Sequence, residues 1–282
     1  MGSLLKKSKG LACLGLLLLV WSGQSFSWAK QGHVIIASIA YKQLTPVVRK
    51  RVDKLLSHLS KTRGENFFIK SSTWADDIRR QKIKTYSRWH YLRLPITSSS
   101  FHAPFVPVPN VLTASKAQAA TLTSLKRSEY QKAWALRMLI HLVGDLHQPL
   151  HVATKFDHRF PKGDMNGLKY SLRSHYKNLH RYWDLGGGLL AYKKKKVYSG
   201  EGLLKSLLKK SPAKADELKA PVNDALNTWV NESFNLAKQH AYQQASSIPI
   251  KSSYRNKVQR ISKQQLRNAG LHLAQLLNKV FK

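Results

Sequence analysis

Cysteine is nearly absent from this chain of 282 residues, in which Cys13 is the only one. A single thiol cannot form an intramolecular disulfide, so small scaffolds held together by disulfides are excluded. No Gly/Ser linker or internal repeat divides the chain, and no sustained alternation of apolar and polar residues indicates a large sheet. Residues 28–282 are long enough to bury a core of their own, and the sequence predicts that they form one domain.

Acidic residues are also scarce, because 14 Asp and Glu stand against 48 Lys and Arg, which gives a formal net charge of +34. Such a field concentrates polyanions, namely nucleic acid or an acidic membrane or cell surface. The charge therefore indicates a class of partner, but it indicates no chemistry.

The first 27 residues have the pattern of a secretory signal peptide. Three lysines within residues 6–9 precede an apolar run at 11–20, which is short for a membrane-spanning helix. Ser25 and Ser27 are small residues at the −3 and −1 positions of a cleavage site before Trp28. We expect a secreted or periplasmic protein that begins at Trp28 and has no transmembrane segment. The alternative is an uncleaved anchor helix.

Apolar residues at helical spacing predict a mainly α-helical domain. Thr73 is expected to cap a short helix through Trp74 and Ile78. Turn residues followed by a brief alternation predict a minor hairpin or an irregular loop near 161–174. The longer predicted helices cover 44–59, 116–125, 132–146, 176–184, 201–209, 221–245 and 262–281.

Two His-x-x-x-Asp pairs are the most informative local pattern. His141 and Asp145 are four residues apart in a predicted helix, and His180 and Asp184 repeat this spacing, so both members of each pair leave the same helix face. Imidazole and carboxylate groups are good zinc ligands. The alternative for a single pair is an ordinary i,i+4 contact at the surface.

Further potential ligands lie around these pairs. His151 follows the helix-ending Pro149, and Asp76 and His90 lie upstream in Trp-Ala-Asp and Trp-His-Tyr. Cleavage before Trp28 would free an α-amino group, which binds zinc once it is deprotonated and forms a chelate with its own carbonyl oxygen. This gives the predicted cleavage site a chemical purpose.

Together these residues resemble the zinc-dependent single-strand nucleases and 3′-nucleotidases, the family of mung bean nuclease. The resemblance runs from Trp28 to about Asp184. It implies a single compact multi-helix domain with a trinuclear zinc cleft, as in phospholipase C and these nucleases. The absence of disulfides favours a bacterial-type member. The implied ligands of three Zn²⁺ ions are Trp28, His33, Asp76, His90, His141, Asp145, His151, His180 and Asp184.

The resemblance also implies how the ligands divide among the ions. Asp76, His90, His141 and Asp145 would hold one zinc, and Trp28 and His33 would hold a second together with Asp145. His151, His180 and Asp184 would hold the third. The implied catalyst is a zinc-bound hydroxide beside the bridging carboxylate of Asp145. The implied reaction is hydrolysis of single-stranded DNA and RNA to 5′-phosphorylated products, with 3′-nucleotidase activity.

Three residues are expected to bind substrate. Tyr91 stands where the family places an aromatic ring that stacks on a base. Asn166 lies in a loop that resembles the family's Gly-Gly-Asn segment. Arg93 replaces a carboxylate that plant and fungal members often carry, and a cation there can bind phosphate.

His147 is expected to support the metal ligands from behind, because it lies between two of them in the sequence.

Two other functions remain open at the level of sequence. A phospholipase C with three zinc ions would use a similar cluster on lipid phosphodiesters. A basic protein that binds nucleic acid without cleaving it would carry a metal site with a structural role only. The sequence indicates no protein partner.

Overall fold

The structure is a computed structural model, and it describes residues 28–62, 64–97, 105–191, 199–212 and 216–282. The predicted signal peptide therefore lies outside the described residues. Within the described part of the chain, no helix combines the length and apolar content that a membrane crossing requires.

The described residues form ten α-helices and one small sheet, which confirms the mainly α prediction. Strands β1 (Leu94–Thr97) and β2 (Ala153–Phe156) pair in parallel, with Leu94 opposite Ala153. The helices are α1 (Lys30–Gln43), α2 (Pro46–Leu56), α3 (Gly64–Ser71), α4 (Trp74–Arg80), α5 (Val111–Thr123), α6 (Glu129–Leu146), α7 (Leu179–Asp184), α8 (Ser199–Lys209), α9 (Val222–His240) and α10 (Ser252–Val280).

Helix α6 lies at the centre of the fold. Ser128 begins it with a capping box, in which its hydroxyl accepts the Gln131 N–H and the Gln131 side chain accepts the Ser128 N–H. From Met138 to Leu146 every residue is buried, so the second half of this helix is enclosed on all sides. Any polar side chain on that half needs a partner inside the protein.

Helices α1 and α10 pack closely against each other beside α6. Gly270 permits this approach, because a Cβ atom there would lie 2.6 Å from the Cβ of Ile39. The buried side chains of Ile35, Ile36 and Ile39 fill the contact. Most of α1 is therefore buried, and it carries His33 into the interior.

One local prediction was wrong in detail, and a second had left two forms open. Thr73 does precede α4, but its hydroxyl donates to the Lys70 carbonyl oxygen at 3.4 Å and does not cap the helix. The segment 161–174 is not a regular hairpin. Turns occupy its first part, and a single antiparallel bridge joins Ser171 to Asn178. The turns in this segment are closed by main-chain hydrogen bonds, which leaves no regular strand pairing there.

Candidate metal centre

Three groups of buried histidine and aspartate side chains meet in the interior of the fold. Within each group, one potential ligand atom per residue lies within 4.8 Å of the others. The side chains come from α1, α4, α6, α7 and the two short turns before β1 and β2. The three groups are His33, His141 and Asp145; Asp76, His90 and His141; and His151, His180 and Asp184.

Asp145 on α6 lies between the first two groups. Its Oδ2 atom is 3.1 Å from His141 Nε2 and 3.2 Å from His90 Nδ1. Its Oδ1 atom faces the other way, 3.4 Å from His33 Nε2 and 3.7 Å from His151 Nδ1. The two oxygens of one carboxylate therefore face different sets of imidazoles.

Several ligand-type atoms in these groups are buried and have no hydrogen-bond partner. Buried polar atoms are nearly always paired in native proteins, so a cluster of exceptions indicates a missing bonded group. Imidazole nitrogens and carboxylate oxygens at this density match the ligands of zinc. The residues present therefore fit a metal cluster. The atoms concerned are Asp76 Oδ1, His90 Nε2, Asp145 Oδ1, His151 Nε2, His180 Nε2 and Asp184 Oδ2.

Main-chain carbonyl groups hold three of the imidazoles in one orientation. A carbonyl oxygen only accepts hydrogen bonds, so the Nδ1 atom that contacts it carries a proton and Nε2 is the nitrogen that binds a metal once it is deprotonated. Such outer contacts fix the ring and raise the basicity of a ligand nitrogen. The Nδ1 atoms of His141, His151 and His180 donate to the carbonyl oxygens of Ser72 at 2.7 Å, His90 at 2.6 Å and Asn166 at 2.7 Å.

A glycine on α6 makes room for His33. A Cβ atom at Gly144 would lie 2.7 Å from His33 Nδ1 and 2.8 Å from its Cε1. The His33 ring instead stacks on His141, with ring centroids 4.1 Å apart. This close approach of α1 to α6 positions His33 beside Asp145.

In the centre, His141 favours its positively charged form and Asp145 its negatively charged form. Burial lowers the pKa of His141, but the negative charges of Asp145 and Asp76 outweigh it and raise that pKa to about 9. Burial raises the pKa of Asp145, but the positive charges of His141 and His151 bring it well below its usual value. The protonated ring of His141 is therefore a cation beside Asp145 when no metal is bound. Metal binding releases the proton of this ring.

Trp28 is completely buried at the start of the described chain. The next residue anchors it, because the Ala29 N–H donates to the carbonyl oxygen of Asp184 at 3.0 Å. The predicted new N-terminus is thus tied to the end of the helix that carries His180 and Asp184.

Gln148 supports the centre in a way that sequence reasoning missed. Its Nε2 atom donates to Asp184 Oδ1 at 2.6 Å, and its Oε1 atom accepts the Leu150 N–H. His147, which was expected in this role, faces away from the ligands. Its Nδ1 atom donates to the Val143 carbonyl oxygen, and its Nε2 atom lies 2.8 Å from His272 Nδ1. His147 is therefore a core residue.

Asn166 makes several hydrogen bonds inside the protein, and its predicted contact with substrate stays a prediction. Its side-chain amide donates to the carbonyl oxygens of Leu92, Leu150 and Ala153 at 2.9 to 3.0 Å, which uses both of its N–H groups. The residue has a φ of +60°, which Asn tolerates better than most residues, and is only 3% exposed. Asn166 connects the segments that lead into β1 and β2, and its carbonyl oxygen orients His180. The neighbouring glycine is the only local sign of this conformation in the sequence.

Comparison with known proteins places this geometry in a family. The sequence model of the S1/P1 nuclease family matches residues 28–282. The chain belongs to the S1/P1 nuclease family. It is therefore related to enzymes that hydrolyse nucleic acid, and the resemblance inferred from the ligand pattern is confirmed.

Named relatives of this nuclease come from plants and fungi. Endonuclease 1 of Arabidopsis thaliana is 28% identical over 95% of this chain and 92% of its own length. Endonuclease 2 of the same plant is 26% identical over 97% of this chain and 98% of its own length. Nuclease P1 of Penicillium citrinum is 23% identical over 62% of each chain. The bacterial affinity expected from the lack of disulfides stays a prediction.

A small pocket is lined in part by residues that flank the potential ligand His90 in the sequence. Tyr91 follows the potential ligand His90, and the Arg93 guanidinium lies 4.8 Å from the centroid of the Tyr91 ring. Arg93 Nε donates to Asn166 Oδ1 at 3.3 Å. The pocket encloses about 110 Å³ and is lined by Arg88, Tyr91, Leu92, Arg93, Pro107, Pro109 and Asn110. Tyr91 and Arg93 thus line the same pocket, and their contact with substrate stays a prediction.

Proposed function

We propose that this nuclease is a zinc-dependent endonuclease that cleaves single-stranded DNA and RNA to 5′-phosphorylated products and also acts as a 3′-nucleotidase. The observation that carries the proposal is the set of three adjacent His/Asp groups with buried, unpartnered ligand atoms. Bound zinc would supply Lewis acidity and lower the pKa of water at the reacting phosphate.

The chain's own residues would bind and position these ions. His33, His90 and His141 offer nitrogens around the two oxygens of Asp145, which suits a carboxylate shared by two ions. His151, His180 and Asp184 form the third group, and Gln148 holds the Asp184 carboxylate by a hydrogen bond. Because the hydrogen bonds of Ser72, His90 and Asn166 fix the rings, little reorganisation is needed when metal binds.

The Trp28 α-amino group would complete the second site after signal-peptide cleavage. Its burial and the anchoring of Ala29 to Asp184 support this role, since both hold the new N-terminus inside the protein beside a ligand-bearing helix. We therefore infer that the enzyme acts after export, as a secreted or periplasmic protein.

The Tyr91 ring supports the proposed preference for single strands. A base that stacks on the Tyr91 ring must leave its own stack, and this costs least when the strand is unpaired. Arg88 and Arg93 supply positive charge for the phosphates. A basic groove elsewhere on the surface, lined by Lys50, Arg51, Lys54 and Lys132, adds to the attraction of polyanions.

The test uses protein that begins at Trp28, with zinc content verified. It is incubated with single-stranded DNA, RNA, duplex DNA, a nucleoside 3′-phosphate and phosphatidylcholine, with and without a chelator. Chelator-sensitive release of 5′-phosphorylated nucleotides from the single strands is expected. Cleavage of the lipid without release of nucleotides would instead identify a phospholipase. Binding of DNA that persists without cleavage in the zinc-loaded protein would indicate a non-catalytic binder.

A further inference from the structure

We infer that a pocket between α5 and α6 is a second nucleobase subsite, which binds the single strand several nucleotides away from the metal centre. The inference rests on the proposed function, because it assumes a single-stranded nucleic acid as substrate. The pocket has a volume of about 230 Å³. Its lining residues are Gln118, Thr121, Arg127, Tyr130, Gln131 and Trp134.

Two aromatic rings give this pocket its chemistry. Tyr130 is 61% exposed, so its ring is accessible from solvent. Trp134 is half-buried and is held in place by edge contacts with Trp74, Trp89 and Tyr86, at centroid distances of 5.8, 6.0 and 5.2 Å. An exposed ring beside a rigid one is a suitable platform for a base, since every base has a face that stacks.

The polar residues of the pocket can bind the phosphate and the base edges of a nucleotide. Arg127 is exposed and carries the charge that a phosphate requires. The amides of Gln118 and Gln131 and the hydroxyl of Thr121 can donate to and accept from base edges. The wall contains no carboxylate, so nothing in the lining repels a polyanion.

The subsite lies in line with the Tyr91 pocket along α5. Asn110, which caps α5, lines the Tyr91 pocket, whereas Gln118 and Thr121 line the second pocket. Gln118 and Thr121 follow Asn110 by eight and eleven residues, which corresponds to about 12 to 16 Å along a helix. A stacked strand that rises about 3.4 Å per nucleotide needs about four or five nucleotides to cover it.

Aromatic ring contacts lead from Trp134 in the second pocket to the turn that ends at His90. Trp89 and Tyr86 belong to the turn that ends at His90, and their rings lie 4.8 Å apart. Tyr130 and Trp134 are also on the face of α6 that carries His141, because spacings of four, seven and eleven residues return to the same side of a helix. The second pocket is therefore on the same side of α6 as the metal centre.

The test compares a dinucleotide with a single-stranded ten-mer as substrates of the zinc-loaded enzyme. Tyr130→Ala is expected to raise the ratio of the ten-mer KM to the dinucleotide KM by about fivefold or more, since it removes one stacking contact. Tyr130→Phe keeps the ring and should restore the wild-type ratio. Leu125→Ala, at a residue that is 98% exposed and outside the pocket, is the matched control.

An equal rise of both KM values, or an unchanged ratio in Tyr130→Ala, would overturn the subsite. Direct binding of a phosphorothioate ten-mer, which resists hydrolysis, keeps the proposal separate from the proposed function. If the wild type cleaves neither substrate, the proposed function fails. The subsite then stands or falls on whether Tyr130→Ala weakens binding of the ten-mer by the same factor and Tyr130→Phe does not.

Arg127→Gln supplies an independent measurement. It removes one phosphate contact, so the slope of log Kd for the ten-mer against log salt should fall by about one. An unchanged slope would mean that Arg127 does not face the strand, and the strand would not follow the path proposed here.

Discussion

Two clusters of buried histidines lie at the end of α6, and their environments differ sharply. His141 stands among Asp76, Asp145 and other imidazoles, with several ligand atoms unpartnered. His147, only six residues later, bonds to His272, whose ring stacks on Trp229 with centroids 4.7 Å apart. The second cluster is satisfied by its own hydrogen bonds.

Carboxylates account for the difference. Beside Asp145, the pKa of His141 rises to about 9 against the effect of burial. Burial and the neighbouring His272 lower the pKa of His147 to about 3, and burial lowers that of His272 to about 4. The first cluster thus attracts cations, whereas the second stays neutral. In a chain with 14 acidic residues, the few that are buried beside histidines indicate the metal site.

Loss of the shared carboxylate should have the largest effect. In Asp145→Asn, the charge that faces both sets of imidazoles disappears. We expect the metal content to fall by two ions per chain and the nuclease rate to fall by more than the ten- to hundredfold typical of outer contacts. Metal analysis and a cleavage assay measure this. Asp157→Asn, at a surface carboxylate paired with Lys155, is the control. A variant that still binds three ions would contradict the bridging role.

Removal of the Gln148 amide should have the next largest effect. Gln148→Ala leaves the Asp184 carboxylate without its 2.6 Å hydrogen bond, so metal affinity at the His151, His180 and Asp184 group should fall by about ten- to hundredfold. Competition with a chelator measures the affinity. Gln243→Ala, at an exposed amide, should leave it unchanged. Equal affinities in both variants would show that Gln148 does not support the centre.

The approach of α1 to α6 can be tested with two glycines. Gly144→Ala places a methyl group against His33, and overpacking of this kind typically costs about 1 to 3 kcal/mol. We expect weaker metal binding at the group that contains His33. Gly202→Ala is the matched control, because a Cβ atom there meets nothing within 4 Å. Metal titration of both variants distinguishes a local clash from a general effect of alanine.

A substitution in the second histidine cluster should lower the stability of the protein without changing its zinc content. His272→Phe keeps an aromatic ring beside Trp229 but leaves His147 Nε2 without its partner, at a cost of about 1 to 3 kcal/mol. Urea unfolding of the zinc-loaded protein measures this cost, and zinc content should stay at the wild-type value. A fall in zinc content would mean that this cluster also supports the metal centre.

A fall in pH should lower the free energy of unfolding through His147 and His272. Both imidazoles have a folded pKa below the unfolded value of about 6.5, so the unfolded chain binds protons first as the pH falls. Their contribution to stability is complete above about pH 6.5 and is lost between there and about pH 3. Each imidazole contributes up to about 1.4 kcal/mol per pH unit. The unfolding free energy of His272→Phe should therefore depend less steeply on pH than that of the wild type, and equal slopes would contradict this account.

Sequence patterns predicted the parts of this molecule that depend on local spacing. The His141/Asp145 and His180/Asp184 pairs were recognisable because helix geometry alone puts each pair on one face. Helix α1 escaped prediction because Ile35, Ile36 and Ile39 belong to a segment buried on most sides, which has no amphipathic stripe. Strands β1 and β2, with four residues each, are too short for a clear alternation.

The roles of Gln148 and Asn166 depend on contacts between distant segments. Asn166 bonds to carbonyl groups that are 13 to 74 residues away in sequence, and Gln148 bonds to Asp184 across 36 residues. No local pattern encodes such contacts. The predicted ligands Asp76, His90 and His33 were chosen by family resemblance, and the structure shows that they gather around Asp145 and His141.

The central claim is that the three His/Asp groups hold the ions on which hydrolysis depends. The most direct measurement is a zinc titration of metal-depleted protein that begins at Trp28, with folding monitored throughout. We predict that three equivalents of zinc bind per chain and that cleavage of single-stranded DNA returns only as they bind. Full cleavage by the folded, metal-depleted protein, or saturation at a single equivalent, would contradict the account.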